Sequence, residues 1–102
     1  MNRLDRLRAL LEENPQDRFA RYGLAMEFAN QNRLEESWNE FRALMASDPD
    51  YVASYLQAGQ ILERLNRVEE ARQVYRQGID IAARQGDLRT RNELESALNL
   101  LD

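Results

Sequence analysis

The sequence predicts an all-α fold, an α-solenoid of tandem antiparallel helical hairpins with about six helices in 102 residues. Three observations predict it. A block of sequence recurs at an offset of 34 residues, a period that stacked helical repeats use. Apolar residues follow helical spacing through most of the chain, and no segment alternates polar and apolar residues as a half-buried strand does.

The recurring block is Asn32-Arg33-Leu34-Glu35-Glu36-Ser37, which returns as Asn66-Arg67-Val68-Glu69-Glu70-Ala71. At the same offset Ala25 matches Gly59, Phe28 matches Leu62 and Phe41 matches Tyr75, whereas Asp50 matches Arg84 poorly. Backwards, Pro15 precedes Pro49, Leu7 precedes Phe41 and Leu10 precedes Leu44 by one period.

Each element follows in turn. Residues 1–16 hold one helix, with Leu4, Leu7, Leu10 and Leu11 as its apolar side. Residues 18–51 hold a first hairpin. Its first helix runs between Asp17 and Asn30 and carries two stripes. Ala25 and Phe28, with Arg21 and Leu24 at the edge, form one; Phe19, Tyr22, Met26 and Ala29, at spacings of 3, 4 and 3, form the other. Its second helix contains Leu34, Trp38, Phe41, Leu44 and Met45, with Trp38 read as core or boundary packing or as an anchor for a partner. Asn30-Gln31-Asn32 and Asn66 break helices, because asparagine tolerates the left-handed conformation that ends them. Asp48-Pro49 punctuates the repeats, since the residue before proline leaves the helical region. Residues 52–85 repeat the pair, as Tyr51 to Leu65 and Val68 to Ala83. After Gly86-Asp87 a last helix in residues 86–102 turns Leu94, Ala97, Leu98 and Leu101 one way. The whole reads as one domain.

With these residues in place, the chain resembles the tetratricopeptide repeat family, as a small bacterial member. The resemblance covers residues 18–51 and 52–85 as two repeats. The family's small crossing positions match Ala25 and Ser37, then Gly59, Ala71 and Gly78. Its large apolar positions match Leu24, Phe28 and Phe41, then Tyr55, Leu62 and Tyr75, and its closing proline matches Pro49. Arg21 stands where an aromatic is usual, Leu44 where a small residue is usual, and Ala83 in place of a second proline. Residues 2–14 resemble the second helix of a repeat whose first helix is missing, and residues 87–101 a capping helix.

Composition excludes much chemistry. There is no histidine or cysteine, and all 14 basic residues are arginine. No imidazole base, thiolate, Schiff-base lysine or His/Cys metal ligand is available, so no enzyme, cofactor or metal is expected. The pairs Glu35–Glu36 and Glu69–Glu70 sit in first helical turns, where they meet the helix dipole. Neighbours on a helix diverge by about 100°, so neither pair converges on one substrate atom. Asp48 and Asp50 fit a turn, not a calcium loop. A formal charge of −4 opposes nucleic acid. Arg3, Arg6 and Arg8, and Arg84, Arg89 and Arg91, read as solvated faces. No apolar run reaches the length of a membrane span. The N-terminal stretch is no signal peptide, and the expected compartment is the cytoplasm.

What remains is recognition of a protein or peptide. A second apolar stripe on a helix that already has a partner helix must be covered by neighbouring helices or by a ligand. The resemblance implies that first helices line a concave groove for peptides. The matching positions are Phe19, Tyr22, Met26, Ala29 and Asn30, then Ala53, Leu56, Gln60, Glu63 and Arg64. The family's carboxylate clamp is not expected: Tyr22, Met26 and Gln57 fall at its positions, with Arg91 the sole match. The leading expectation is an adaptor that holds a peptide or helix in an apolar groove. The alternative is a self-associating scaffold, a homodimer through terminal helices in which Leu4, Leu7, Leu10 and Leu11 find cover.

Overall fold

The computed structural model describes all 102 residues and contains six helices and no strand. They are α1 (Arg3–Glu13), α2 (Arg18–Asn30), α3 (Leu34–Ser47), α4 (Ala53–Arg64), α5 (Val68–Gln85) and α6 (Leu88–Asn99). The chain divides into two compact units, Met1–Pro49 and Asp50–Asp102. The tandem helical-hairpin class read from the sequence is the class observed.

In the first unit, α1 starts at Asn2, whose side chain accepts from the Asp5 amide at 2.8 Å. Asp17 caps α2 by accepting from the Ala20 amide at 3.0 Å. Both satisfy amides that a helix start leaves without internal partners. Asn32 then takes a φ of 60°, and the Arg33 amide reaches back to the Phe28 carbonyl at 2.8 Å. This is the left-handed helix ending anticipated at that asparagine. The hairpin closes where Ala25 and Phe41 are fully buried, and Ser37 Oγ donates to the Ala25 carbonyl at 2.8 Å. Trp38 is buried, with the Arg42 guanidinium 6.0 Å from its ring centre, so it serves as packing. The α1 leucines do not all wait for a partner. Leu4 and Leu7 are buried with Leu24 and Phe28, with Leu11 packed alongside, whereas Leu10 remains 47% exposed.

The second unit repeats the plan with different side chains. Asn66 has a φ of 65°, and the Arg67 amide bonds the Leu62 carbonyl at 2.8 Å. The Tyr75 ring lies on the α4 backbone at Gly59, so closely that any Cβ there overlaps its carbons. The Tyr75 hydroxyl donates to the Glu63 carboxylate one turn further along α4. Gly78 makes the other close approach: a Cβ there comes within 2.6 Å of Tyr55 Cβ and 2.9 Å of Leu94 Cδ1. Leu94 of α6 is thereby fully buried against α5.

α5 runs to Gln85, past the expected end near Ala83. Proline at position 49 stops α3; Ala83, one period later, imposes no such stop. α5 instead ends at Gly86, whose φ is 70°, with the Asp87 amide bonded to the Ala82 carbonyl at 2.9 Å. Asp87 then caps α6 through the Thr90 amide at 3.1 Å. Hydrogen bonding from the Thr90 side chain, and then from its amide, holds the Asp87 carboxyl below its usual range.

Two outcomes follow from the α4–α5 crossing. Gly59→Ala should cost about 1–3 kcal/mol, since the Tyr75 ring must shift in a packed interior; denaturant unfolding measures it, and an unchanged midpoint would refute the crossing. Burial and the bond to Glu63 also push the Tyr75 hydroxyl well above its ordinary value of about 10. The native state therefore keeps a proton that the unfolded chain loses above about pH 10, and stability falls as pH rises further. Ultraviolet titration should detect the Tyr75 phenolate only as the chain unfolds, and Tyr75→Phe should remove that late step.

Candidate functional site

The first helix of each hairpin presents three sides. In α4, Gly59 and Leu62 belong to the side that meets α5, while Leu56 and Gln60, one turn apart, point elsewhere. These two line a cleft of about 440 Å³ whose other wall is α6, through Asn92, Glu93, Ser96, Ala97 and Leu100. Leu56 and Ala97 are half-buried, and Leu100 is 86% exposed. Gln60, Asn92 and Ser96 supply neutral hydrogen-bonding groups, and Glu93 is the one ionisable group of the lining. Leu94, on another side of α6, fixes that wall by filling the notch at Gly78. At its far end Arg72 of α5 donates to the Leu101 carbonyl and lies 3.4 Å from the Asp102 carboxylate.

The other expected groove residues of this unit take different roles. Ala53 is half-buried and Arg64 is exposed. Glu63 is the acceptor for Tyr75 and so is tied into the hairpin crossing. In the first unit Phe19 is 72% exposed and Asn30 is exposed, Met26 is half-buried, and Ala29 is buried. Tyr22 packs its edge on Phe41, with centroids 5.7 Å apart at 79°. The stripe Phe19–Tyr22–Met26–Ala29 is thus graded along its length, open at Phe19 and packed at Ala29.

A separate, more polar cleft of the first unit lies among Arg8, Leu11 and Glu12 of α1, Arg21 and Leu24 of α2, and Glu40 of α3. Arg21, placed where an aromatic was expected, is paired with Glu40 at 2.7 Å. The second arginine of the cleft, Arg8, lies over the Phe28 ring at 5.6 Å.

The α6 side of the α4 cleft escaped the sequence reading, which treated residues 86–102 as a cap. A signal was available. Asp17 caps α2 and Asp87 caps α6 through the same side-chain bond, which aligns α6 with the first helix of a repeat. In that register Asn92 and Ser96 fall at the positions of Tyr22 and Met26. The acidic pairs are likewise accounted for. Arg33 makes a bidentate contact with Glu36 at 2.8 and 2.7 Å, and Arg67 repeats it with Glu70 at 2.9 and 2.7 Å. The Arg33 contact holds the Glu36 carboxyl below its usual range.

Comparison with known proteins agrees with this fold. Residues 52–85, which span α4 and α5, match the tetratricopeptide repeat model. No curated protein sequence matches the chain. The crystal structure of a tetratricopeptide repeat domain protein from Salinibacter ruber is 35% identical, covering 83% of this chain and 94% of its own, with a TM-score of 0.78. The solution structure of a protein from Bordetella parapertussis is 25% identical over 99% of this chain and 88% of its own, with a TM-score of 0.84. YrrB, a tetratricopeptide repeat protein with an unusual peptide-binding site, is 27% identical over 91% of this chain and 46% of its own, with a TM-score of 0.77. With its 34-residue period, its paired asparagine turns and a relative of this identity and coverage, the chain belongs to the tetratricopeptide repeat family.

Proposed function

We propose that the protein is an interaction module that holds a peptide or short helix against the outward sides of α4 and α6. The family fold is generally a protein-interaction module. The observation that carries the proposal is the α4–α6 cleft: the half-buried Leu56 and Ala97, with the exposed Leu100 at its rim, beside the neutral polar groups of Gln60, Asn92 and Ser96. That is the composition of a recognition surface, in which apolar anchors supply affinity and a few polar groups fix orientation. The lining residues of α6 recur over about two helical turns, near 12 Å, which suits a ligand with two apolar anchors one turn apart. The peptide-binding site of YrrB supports the same reading by analogy. In the first unit, the exposed Phe19 and half-buried Met26 present apolar area of their own.

Selection from a displayed random-peptide library tests this. It should return peptides with apolar residues at helical spacing. Leu56→Glu should weaken their binding at least about tenfold, because a carboxylate buried unpaired in an interface costs more than one such decade. The melting temperature of that variant should change little, since Leu56 is only half-buried. Peptides that bind Leu56→Glu and the parent equally would place recognition elsewhere; a large loss of stability in the free variant would make Leu56 a core residue.

A further inference from the structure

α6 has a third side, distinct from the one on α5 and the one facing the cleft. In the register set by the Asp17 and Asp87 caps, Arg91, Glu95 and Leu98 occupy the positions of Arg21, Ala25 and Phe28 in α2, and of Tyr55, Gly59 and Leu62 in α4. In both earlier helices this side packs on the helix that follows. Arg21 pairs with Glu40, Ala25 receives Ser37, Gly59 lies under Tyr75, and Tyr55 meets Gly78. Phe28 and Leu62, at the same register, are 3% and 0% exposed, Phe28 sharing its cover with Leu4 and Leu7 of α1. On α6 the same side is partly open. Leu88 is 60% exposed, the Arg91 and Glu95 side chains are 39% and 46% exposed, and Leu98 is half-buried.

Glu95 also argues against an ordinary second helix on this side, because a long carboxylate stands where the crossing needs Ala or Gly. What the side does fit is itself. Leu88, Arg91, Glu95 and Leu98 follow one another at spacings of 3, 4 and 3, which places them in one stripe along the helix. The stripe reads apolar, positive, negative, apolar. Laid antiparallel on a second α6, it sets Leu88 against Leu98 and Arg91 against Glu95, and both pairs share residue 93 as their midpoint. Within one helix Arg91 and Glu95 lie 3.2 Å apart, but arginine ahead of glutamate at this spacing is the weaker order for an intrahelical pair.

We propose that a second copy of this chain covers the stripe, through an antiparallel α6–α6 contact about a two-fold axis. Such a contact is isologous: each copy gives the same residues and receives the same residues. Four charges, Arg91 and Glu95 from each copy, form a closed ring between two leucine pairs. One 12-residue helix per copy is a small interface, so the dimer is weak and concentration-dependent. The cleft residues Asn92, Glu93, Ser96, Ala97 and Leu100 lie on another side of α6, so the dimer leaves the cleft free, and either reading can fail without the other.

Sedimentation equilibrium of the 102-residue chain, from about 10 µM to about 1 mM, reads the association directly. The average mass of the parent should climb from 12.0 kDa toward twice that value. Arg91→Glu sets two carboxylates against two in the homodimer, and Glu95→Arg sets two guanidiniums against two. Each variant alone should associate at least about tenfold more weakly. An equimolar mixture of the two should recover the dimer, because every facing pair is then opposite in sign. The double variant Arg91→Glu, Glu95→Arg should recover it alone, and circular dichroism melts confirm that each chain is folded. Complementation between two different chains arises only across an interface, so loss of a purely intrahelical pair cannot mimic it. A parent that stays monomeric through the range would overturn the proposal. So would single variants that associate as the parent does, or a mixture that remains monomeric.

Discussion

Each hairpin of this protein depends on one steric condition: the first helix must offer almost no side chain where an aromatic ring of the second helix arrives. Tyr75 meets Gly59 in this way in the second unit, and Ala25 and Phe41, at the matching positions of the first, are both fully buried. The two solutions differ in a linked way. Phe41 carries no polar atom, so Ala29 suffices one turn beyond Ala25. Tyr75 carries a hydroxyl that burial would leave without water, and Glu63 stands at the position of Ala29 to accept it. Burying such a ring stabilises by roughly 2–3 kcal/mol, and an orphaned hydroxyl would cancel much of that. The substitutions at 59, 63 and 75 therefore form one unit of design, although they are scattered over 17 residues of sequence.

Much of the fold was legible because its determinants are local or periodic. The period placed both hairpins, and the asparagines that end α2 and α4 adopt the left-handed conformation their chemistry permits. Other features were illegible for stated reasons. Glu63 sits on α4 among groove positions, and helical spacing cannot reveal that a hydroxyl from α5 captures it. Leu7 and Leu10 look alike in α1; Gly23 lets Leu7 approach α2, and the face of Leu10 has no such neighbour. The extension of α5 could have been read from the missing proline at 83. The wall that α6 adds to the cleft follows from its cap, yet only the packing of Leu94 at Gly78 determines which residues face α4.

The lysine-free composition has a structural counterpart. α3 and α5 begin without a side-chain cap on their first amides. In each, the arginine at the start, Arg33 or Arg67, instead makes a two-pronged contact with the glutamate three residues on, a geometry that a guanidinium provides and an ammonium does not. Arg33 also lies over the Phe28 ring at 4.8 Å, linking the turn to the hydrophobic cluster. These pairs are largely solvated, so their contribution is orientation more than energy. Of the two glutamate pairs, Glu36, Glu69 and Glu70 are thus engaged as partners of Arg33, Arg72 and Arg67.

α6 shows how one helix divides its circumference. With about 3.6 residues per turn, a 12-residue helix has room for three separate stripes. One, centred on Leu94, spends apolar area on the interior. A second, through Ala97 and Leu100, leaves apolar area open beside α4, where a ligand can gain from covering it. The third repeats the position that closes a hairpin in α2 and α4, but Glu95 replaces the small residue and removes the steric condition on which closure rests. A helix with that glutamate cannot accept an aromatic from a following helix without burying a charge, so its remaining contacts must be matched by opposite charge. In the proposed antiparallel contact, the alternation of Leu88, Arg91, Glu95 and Leu98 would supply that match from an identical helix. The glutamate that removes the small residue thus favours a surface matched by opposite charge at that position.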